Sequence, residues 1–289
     1  MARMRTVAER AEAVLGTAVV ATSPVAGGDI CTSTRLRLSN GTSALIKTHP
    51  HSPDGFFEAE ASGLRWLGEP DVAPVASVLG VAEDCLVLEW IEPTKPSPEL
   101  ATEFGRTLAR LHAKGPESFG TERDGFIGML PLRNTPSDTW PEFFAVHRIL
   151  PYLKLAHDRD HIGEDDVAAV EDVVRRITDL AGPDEPPARR HGDLWAGNVV
   201  WQAERGGVLV DPAAHGGHRE TDLAMLALFG LPHLPRAMAA YTEEFPLAEG
   251  WEERQPLHLL HPLLVHAALF GGRYGGLAGD AARTLLDAG

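Results

Sequence analysis

The chain has 289 residues, 44% of them apolar and 23% charged, with 26 Lys and Arg against 41 Asp and Glu. That balance suits an ordinary globular protein of one large domain or two modest ones, and it excludes a disordered or fibrous chain. The formal charge of −15 argues against nucleic-acid partners, whose phosphates would meet a repelling field, and suits solubility or, more weakly, a cationic substrate.

Met4 to Leu15 reads as an amphipathic helix ending at Gly16, without the apolar core of a secretory signal. Thr17 to Val25 reads as a strand that enters Gly27-Gly28-Asp29, and Ser33 to Leu38 as a second strand. Asn40-Gly41 is a hairpin signal, with Ser43 to Lys47 as the return strand. Phe56 to Leu67 is expected to be a helix with Phe57, Leu64 and Leu67 on one face, and Glu60 falls on that face. Strands near 77–81 and 85–90 follow, then the proline-rich stretch from Pro93 to Pro98. We take residues 1–92 as a nucleotide-binding lobe, 93–98 as a linker and 99–289 as a helical catalytic and substrate lobe. Ser97 is placed to cap a helix begun by Pro98, with Leu100, Phe104, Leu108 and Leu111 inside. Further helices are expected over 140–155, 164–180, 222–229, 236–245, 255–270 and 280–287, with a β-rich insert from His191 to Asp211. No apolar run approaches the roughly 18 residues of a membrane span. Cys31 and Cys85 are too few for a disulfide framework, so a reducing cytoplasm is the expected setting. The plan is α+β: a small sheet lobe with one main helix, joined to a larger helical lobe.

The chemistry concentrates in His191-Gly192-Asp193-Leu194-Trp195-Ala196-Gly197-Asn198 and in Asp211, which ends the next apolar strand. An Asp, an Asn five residues on and a second Asp after a strand form a recurrent phosphoryl-transfer set. Asp193 is the expected base. Asn198 and Asp211 offer the hard oxygens that magnesium prefers. A bare turn and hairpin would not require three polar residues at this spacing. Lys47 closes a strand after the glycine turn, where it can reach the α- and β-phosphates of ATP. Glu60, costly on an apolar face unless paired, is its expected partner. Gly27 and Gly28 form either a phosphate loop or a tight turn, and Glu89, Trp90 and Ile91 are the expected adenine hinge.

The catalytic string, together with Asp211-Pro212-Ala213 and Gly217-His218-Arg219-Glu220-Thr221-Asp222-Leu223-Ala224-Met225, resembles the fructosamine kinase (ketosamine-3-kinase) family. Gly27 to Ile30, Phe57 to Leu64, Asn134 to Arg148 and His266 to Tyr274 are also similar. The resemblance implies the aminoglycoside-phosphotransferase-like, protein-kinase-like bilobal fold. It also implies ATP-dependent phosphorylation of the sugar O3 of ketoamines, free or on protein lysines, whose phosphoesters then break down and release the amine. A kinase of the same fold acting on an aminoglycoside or another amino-alcohol is the nearest alternative. A catalytically silent nucleotide-binding scaffold is the alternative of another class, and retention of Lys47, Asp193, Asn198 and Asp211 speaks against it. A monomer is expected.

For the acceptor pocket the candidates are Trp195, His215 and His266. Trp195 either stacks on a sugar or fixes its loop, and His266 is either a core histidine or a pocket residue. Cys31, Ala214-His215 and Val265 depart from the family pattern, which bears on the acceptor and not on the catalytic set. His215/His218 and His258/His261 have metal-like spacing, but without a third ligand in sequence zinc is not expected. Gly192 stands where protein kinases carry an Arg, and the short run from Asp211 to Asp222 leaves no room for a regulated activation loop. Asp222 is expected to bond the catalytic-loop backbone or to cap its helix. Cys31, beside the glycine turn, is either a packed thiol or an oxidation-sensitive one.

Overall fold

A computed structural model describes residues 6–26 and 30–288. Thr6 and Glu9 cap each other's backbone amides at the start of α1 (Val7–Leu15), and Gly16, at φ +65°, ends the helix. Five strands follow: β1 (Val19–Val25), β2 (Thr32–Leu38), β3 (Ser43–Thr48), β4 (Val78–Ala82) and β5 (Cys85–Glu89). They form one antiparallel sheet in the order β1-β2-β3-β5-β4. Gly41 turns the β2–β3 hairpin at φ +86°, a conformation that favours glycine. Alternation along β3 places Ala44 and Ile46 in the core beneath α1, and half-buried Leu45 against the core beneath α2 (Phe56–Gly68). Lys47, two residues on from Leu45, therefore emerges on the α2 face.

Phe57, Ala61, Leu64 and Leu67 bury one stripe of α2 against the sheet. Gly63 lies against the chain that follows Asp211: a Cβ there would sit 3.3 Å from Ala214 Cβ. The sheet and the helical part are also joined through backbone hydrogen bonds, from Leu209 N to Pro74 O (2.9 Å), Ala76 N to Leu209 O (3.0 Å) and Thr94 N to Trp201 O (2.8 Å).

Ser97 accepts a bond from Leu100 N and starts α3 (Pro98–Ala113), whose Phe104, Leu108 and Leu111 are buried. The hairpin β6 (Gly125–Ile127) and β7 (Leu130–Leu132) comes next, then α4 (Trp140–Phe144) and, after a π turn over Ala145–Ile149, α5 (Leu150–Asp158). The helical stretch expected over 140–155 is unbroken but carries this π turn. Pro151 has no N–H for the His147 carbonyl, and that oxygen instead accepts from Arg148 Nη1 at 3.1 Å. The remaining elements are α6 (Glu164–Arg175), α7 (Ile177–Leu180), β8 (Ala188–Arg190), β9 (Val199–Gln202), β10 (Gly206–Leu209), β11 (His215–Gly217), α8 (Arg219–Phe229), α9 (Leu234–Glu244), α10 (Trp251–Phe270) and α11 (Tyr274–Ala288). The last helix begins six residues before its expected start. Its glycines permit close packing: a Cβ on Gly275 would strike His161 O and one on Gly279 would strike Asp166. No described helix is long and apolar enough to cross a membrane.

Candidate active site

The catalytic loop is shaped by what lies beneath it. Gly192, at φ +85°, touches Ala213: a Cβ would lie 2.0 Å from that residue's carbonyl oxygen. His191 donates from Nε2 to Val210 O (2.8 Å), and its Nδ1 accepts from Asp193 N (3.2 Å). Asp222, fully buried, accepts from His191 N at 2.8 Å and Gly192 N at 3.1 Å. Of its two expected roles it takes the backbone one; His218 Nδ1 caps α8 instead, accepting from Glu220 N. Burial opposes ionisation of Asp222, yet Arg190 Nη2 at 2.9 Å, aided by His112, holds its carboxyl well below the usual carboxylate range.

Asp193 is thus presented on a fixed backbone. Burial pushes its carboxyl up to about 7, and the charges of Asp211 and Asp222 push the same way against a bond from Asn198. Asn198 Nδ2 donates to Asp193 O (2.8 Å) and Oδ2 (3.0 Å). This use of the NH2 group leaves Oδ1 as the amide's remaining acceptor. Asp211 adopts the left-handed region at φ +54°, an arrangement that costs of order 1–3 kcal/mol for a residue with a side chain. It turns the carboxylate toward Lys47.

Lys47 Nζ lies 2.7 and 2.8 Å from the two Glu60 oxygens and 2.6 Å from Asp211 Oδ1. Two carboxylates share one ammonium. Although burial opposes both charges, Lys47 is held above its ordinary value by Asp211 and Glu60, and Asp211 below its own by Lys47. Burial, with Asp211's charge, pushes Glu60 up to about 7. Asp193, Glu60 and Asp211 therefore crowd negative charge around a single lysine. An oxygen-preferring divalent cation fits the donor set that Asn198 and Asp211 provide.

These groups line one cleft of about 1000 Å³. Trp195, His266, Phe270 and, from the β6–β7 hairpin, Phe126 and Gly128 line it as well. Trp195 lies across Gly197, where a Cβ would come within 2.4 Å of the indole, and it remains 38% exposed. His266 donates from Nδ1 to Pro262 O at 2.7 Å, so Nε2 carries the lone pair. The ring stacks on Phe229 (4.6 Å between centroids), with Tyr274 at 5.0 Å, and burial depresses its basicity. Cys31 also lines the cleft; burial, with Glu60 and Asp211 against Lys47, pushes its thiol up to about 11.

Several expected residues stand elsewhere. Gly27 and Gly28 lie outside the described residues. His215 does not line the cleft: it is fully buried, donates from Nδ1 to Ala213 O and accepts at Nε2 from Arg148 and Arg190. Its β11 position faces the interior, so it is not an acceptor-contacting residue in this structure. Glu89, Trp90 and Ile91 lie off this cleft. The Glu89 carboxylate is held by Arg205 and Ser77 N, and the Trp90 indole donates to Glu92 beneath the Arg35 guanidinium. In space a third potential ligand does join two of the histidines, as His218, Glu220 and His258 bring donor atoms within 4.8 Å of one another. Arg254 already binds both Glu220 oxygens, and His218 Nδ1 is taken by Glu220 N, so the cluster is an internally paired core network. The β6–β7 hairpin was missed because each strand has only three residues. A Gly-Met turn between apolar residues was its only signal.

The sequence model described as "Fructosamine kinase" matches residues 3–288. A probable ketoamine kinase of Enterococcus faecium is 35% identical over 258 residues, covering 87% of this chain and 90% of that protein. The crystal structure of a candidate fructosamine-3-kinase from Thermobifida fusca superposes with a TM-score of 0.93 at 50% identity, covering 98% of this chain and 99% of that one. A macrolide 2′-phosphotransferase of Brachybacterium faecium shares the fold alone, with a TM-score of 0.59 at 15% identity over 96% of each chain. With a family match spanning almost every residue and the fold and site assembled as above, the chain belongs to the fructosamine kinase family.

Proposed function

We propose that the protein phosphorylates the sugar O3 of ketoamines with ATP, as a monomer in a reducing cytoplasm. The observation that carries this reading is the meeting in one cleft of a carboxylate raised to about 7, Asp193, with the Lys47–Asp211 pair. The Asp193 carboxylate accepts the acceptor's hydroxyl proton as that oxygen bonds to the γ-phosphorus and the bond to the β,γ-bridging oxygen breaks, releasing ADP. Lys47, aligned by Glu60, orients the α- and β-phosphates. Asn198 Oδ1 and Asp211 would hold magnesium, which supplies neutralisation of charge on the phosphates. Adenine is assigned to the backbone of residues 89–91, where β5 ends at the linker; the Glu89 and Trp90 side chains, bonded elsewhere and outside the cleft of Lys47 and Asp211, take no part in it. Trp195 offers an apolar face to a sugar, and the neutral His266 offers an acceptor at Nε2 for a sugar hydroxyl. The net charge of −15 suits the cationic amine that a ketoamine carries, free or on a protein.

A screen of ADP release with ribulosyl-lysine, fructosyl-lysine and aminoglycosides, each product mapped by phosphorus NMR, tests the reading. Phosphorylation of a ketoamine at O3 is expected. Turnover only with aminoglycosides would transfer the enzyme to the neighbouring substrate class, and nucleotide binding without any turnover would leave a scaffold.

A further inference from the structure

Five deeply buried polar side chains in the helical part, Asn134, Arg148, His215, Arg190 and Asp222, form a line, and the cleft explains only one end of it. Arg148 is fully buried, and among the described residues it has no carboxylate partner within salt-bridge distance. A buried guanidinium is ordinarily paired with an anion. Here its donors go to neutral acceptors instead: Nη1 to Arg133 O and His147 O, Nη2 to Asn134 Oδ1 and Nε to His215 Nε2 (3.3 Å). The Phe143 ring lies 4.5 Å from the guanidinium carbon.

From Arg148 the line runs two ways. Outward, Asn134 donates from Nδ2 to Arg123 O (3.1 Å) and from its backbone to Asp124 Oδ1 (2.8 Å). Those bonds fix the entry to the β6–β7 hairpin, which lines the cleft. Inward, His215 Nε2 also accepts from Arg190 Nη1 (3.2 Å), Arg190 grips Asp222, and Asp222 holds the His191 and Gly192 amides ahead of Asp193. The His215 tautomer is dictated: the Ala213 carbonyl takes the Nδ1 proton, so Nε2 is free to receive both guanidinium N–H groups. Asn134, Arg148, His215, Arg190 and Asp222 are each 2% exposed or less, so water cannot replace a lost link cheaply.

We propose that Arg148 and His215 are positioning residues of the phosphoryl transfer, tying the acceptor-side hairpin to the catalytic loop so that acceptor and base are held at one fixed separation. Neither touches substrate. Reaction between a hydroxyl and a phosphoryl group depends steeply on alignment, and about 1 Å of misplacement is enough for a loss near 100-fold. Asp193 is exposed to this directly, because its own position derives from Asp222 and the acceptor's from the hairpin. The inference rests on the phosphoryl-transfer reading above but not on which hydroxyl compound is used.

The test compares His215→Leu, His215→Gln and Arg148→Lys with wild type, using whichever acceptor wild type phosphorylates. A wild-type enzyme inactive on every ketoamine would count against the substrate reading and leave this comparison to be made with the acceptor that is used. Gln can accept from the two guanidiniums and donate to Ala213 O, whereas Leu can do neither. In His215→Leu, ATP affinity by calorimetry should stay within about 2-fold while kcat/KM for the acceptor falls about 30–100-fold, as misalignment predicts. ADP release should also exceed acceptor phosphorylation, because water competes for a misaligned phosphoryl group. His215→Gln should restore coupling, and Arg148→Lys, which keeps the charge but loses the fork, should resemble His215→Leu. If folded His215→Leu keeps wild-type kcat/KM and coupling, the proposal is wrong. It is equally wrong if ATP affinity and acceptor turnover fall together in step with the folded fraction, for then the line is packing alone. Should Arg148→Lys fail to fold, the two His215 variants decide.

Discussion

Lys47 Nζ sits 2.6 Å from Asp211 Oδ1 while also holding both oxygens of Glu60, so one ammonium bridges a sheet strand, α2 and the start of the 211–219 segment. A magnesium ion on Asp211 and phosphates on Lys47 must both enter this contact. Asp211→Ala should abolish the magnesium dependence of ATP affinity, leaving Lys47 with Glu60 alone. Calorimetry with and without magnesium checks this, and equal magnesium-dependent affinity in variant and wild type would reduce Asp211 to a structural role.

Asp193→Asn should leave nucleotide affinity nearly intact and lower turnover at least ~100-fold, the usual scale for loss of a general base. The pH profile gives an independent reading. The base acts deprotonated, and its carboxyl is raised to about 7. The acceptor kcat/KM should therefore climb about tenfold per pH unit below that value and level off above it. Bound magnesium moves the midpoint lower, since a cation favours the carboxylate. A flat profile from pH 5 to 8 would contradict the assignment.

Asp222 is ionised, fully buried and central to two hydrogen-bond branches. Removing its charge by Asp222→Asn leaves Arg190 without a counterion, and breaking such a pair costs about 3–5 kcal/mol. The linkage sign follows from a folded-state pKa below the unfolded one. Its stabilisation is present above the ordinary carboxylate range and is lost as pH falls through the folded value. Thermal melts should show a lower Tm at pH 7 for Asp222→Asn and a shallower decline than wild type on acidification.

Cys31 touches the cleft, yet its thiol is pushed up to about 11, and a thiol so rarely ionised is a slow nucleophile toward peroxide. Wild type and Cys31→Ser should lose activity at the same rate in peroxide. Faster loss in wild type, reversed by reductant and slowed by ATP, would instead establish an oxidation-sensitive site.

Much of this was legible beforehand because local chemistry marked it. Asn40-Gly41 and Ser97-Pro98 carry their physical reason within a few residues, and Glu60 on the apolar face of α2 calls for a cation such as Lys47 on β3. The line through Arg148 and His215 was not legible. Its members lie on separate elements, and although Pro151 signals a freed helical carbonyl, nothing in sequence says that Arg148 takes it or that His215 lies beside it. His215 was a pocket candidate because Ala214-His215 departs from the family pattern, whereas all of β11 is buried and Ala213 O, Arg148 and Arg190 hold the ring inside. The start of α11 was hidden by glycines that disfavour a helix alone but admit His161 and Asp166 in the fold.

The contact between Gly63 and Ala214 bears on how such an enzyme can be governed. Moving α2 aside would break the buried Lys47–Glu60 pair and empty that contact, while the short chain beyond Asp211 is stitched to Arg190 on one side and Gly120 on the other. The site is thus assembled around a short, internally bonded chain after Asp211, and α2 cannot shift without stripping Lys47 of a buried partner. A ligand that pries α2 outward has that buried ion pair to break as well as its own contacts to make.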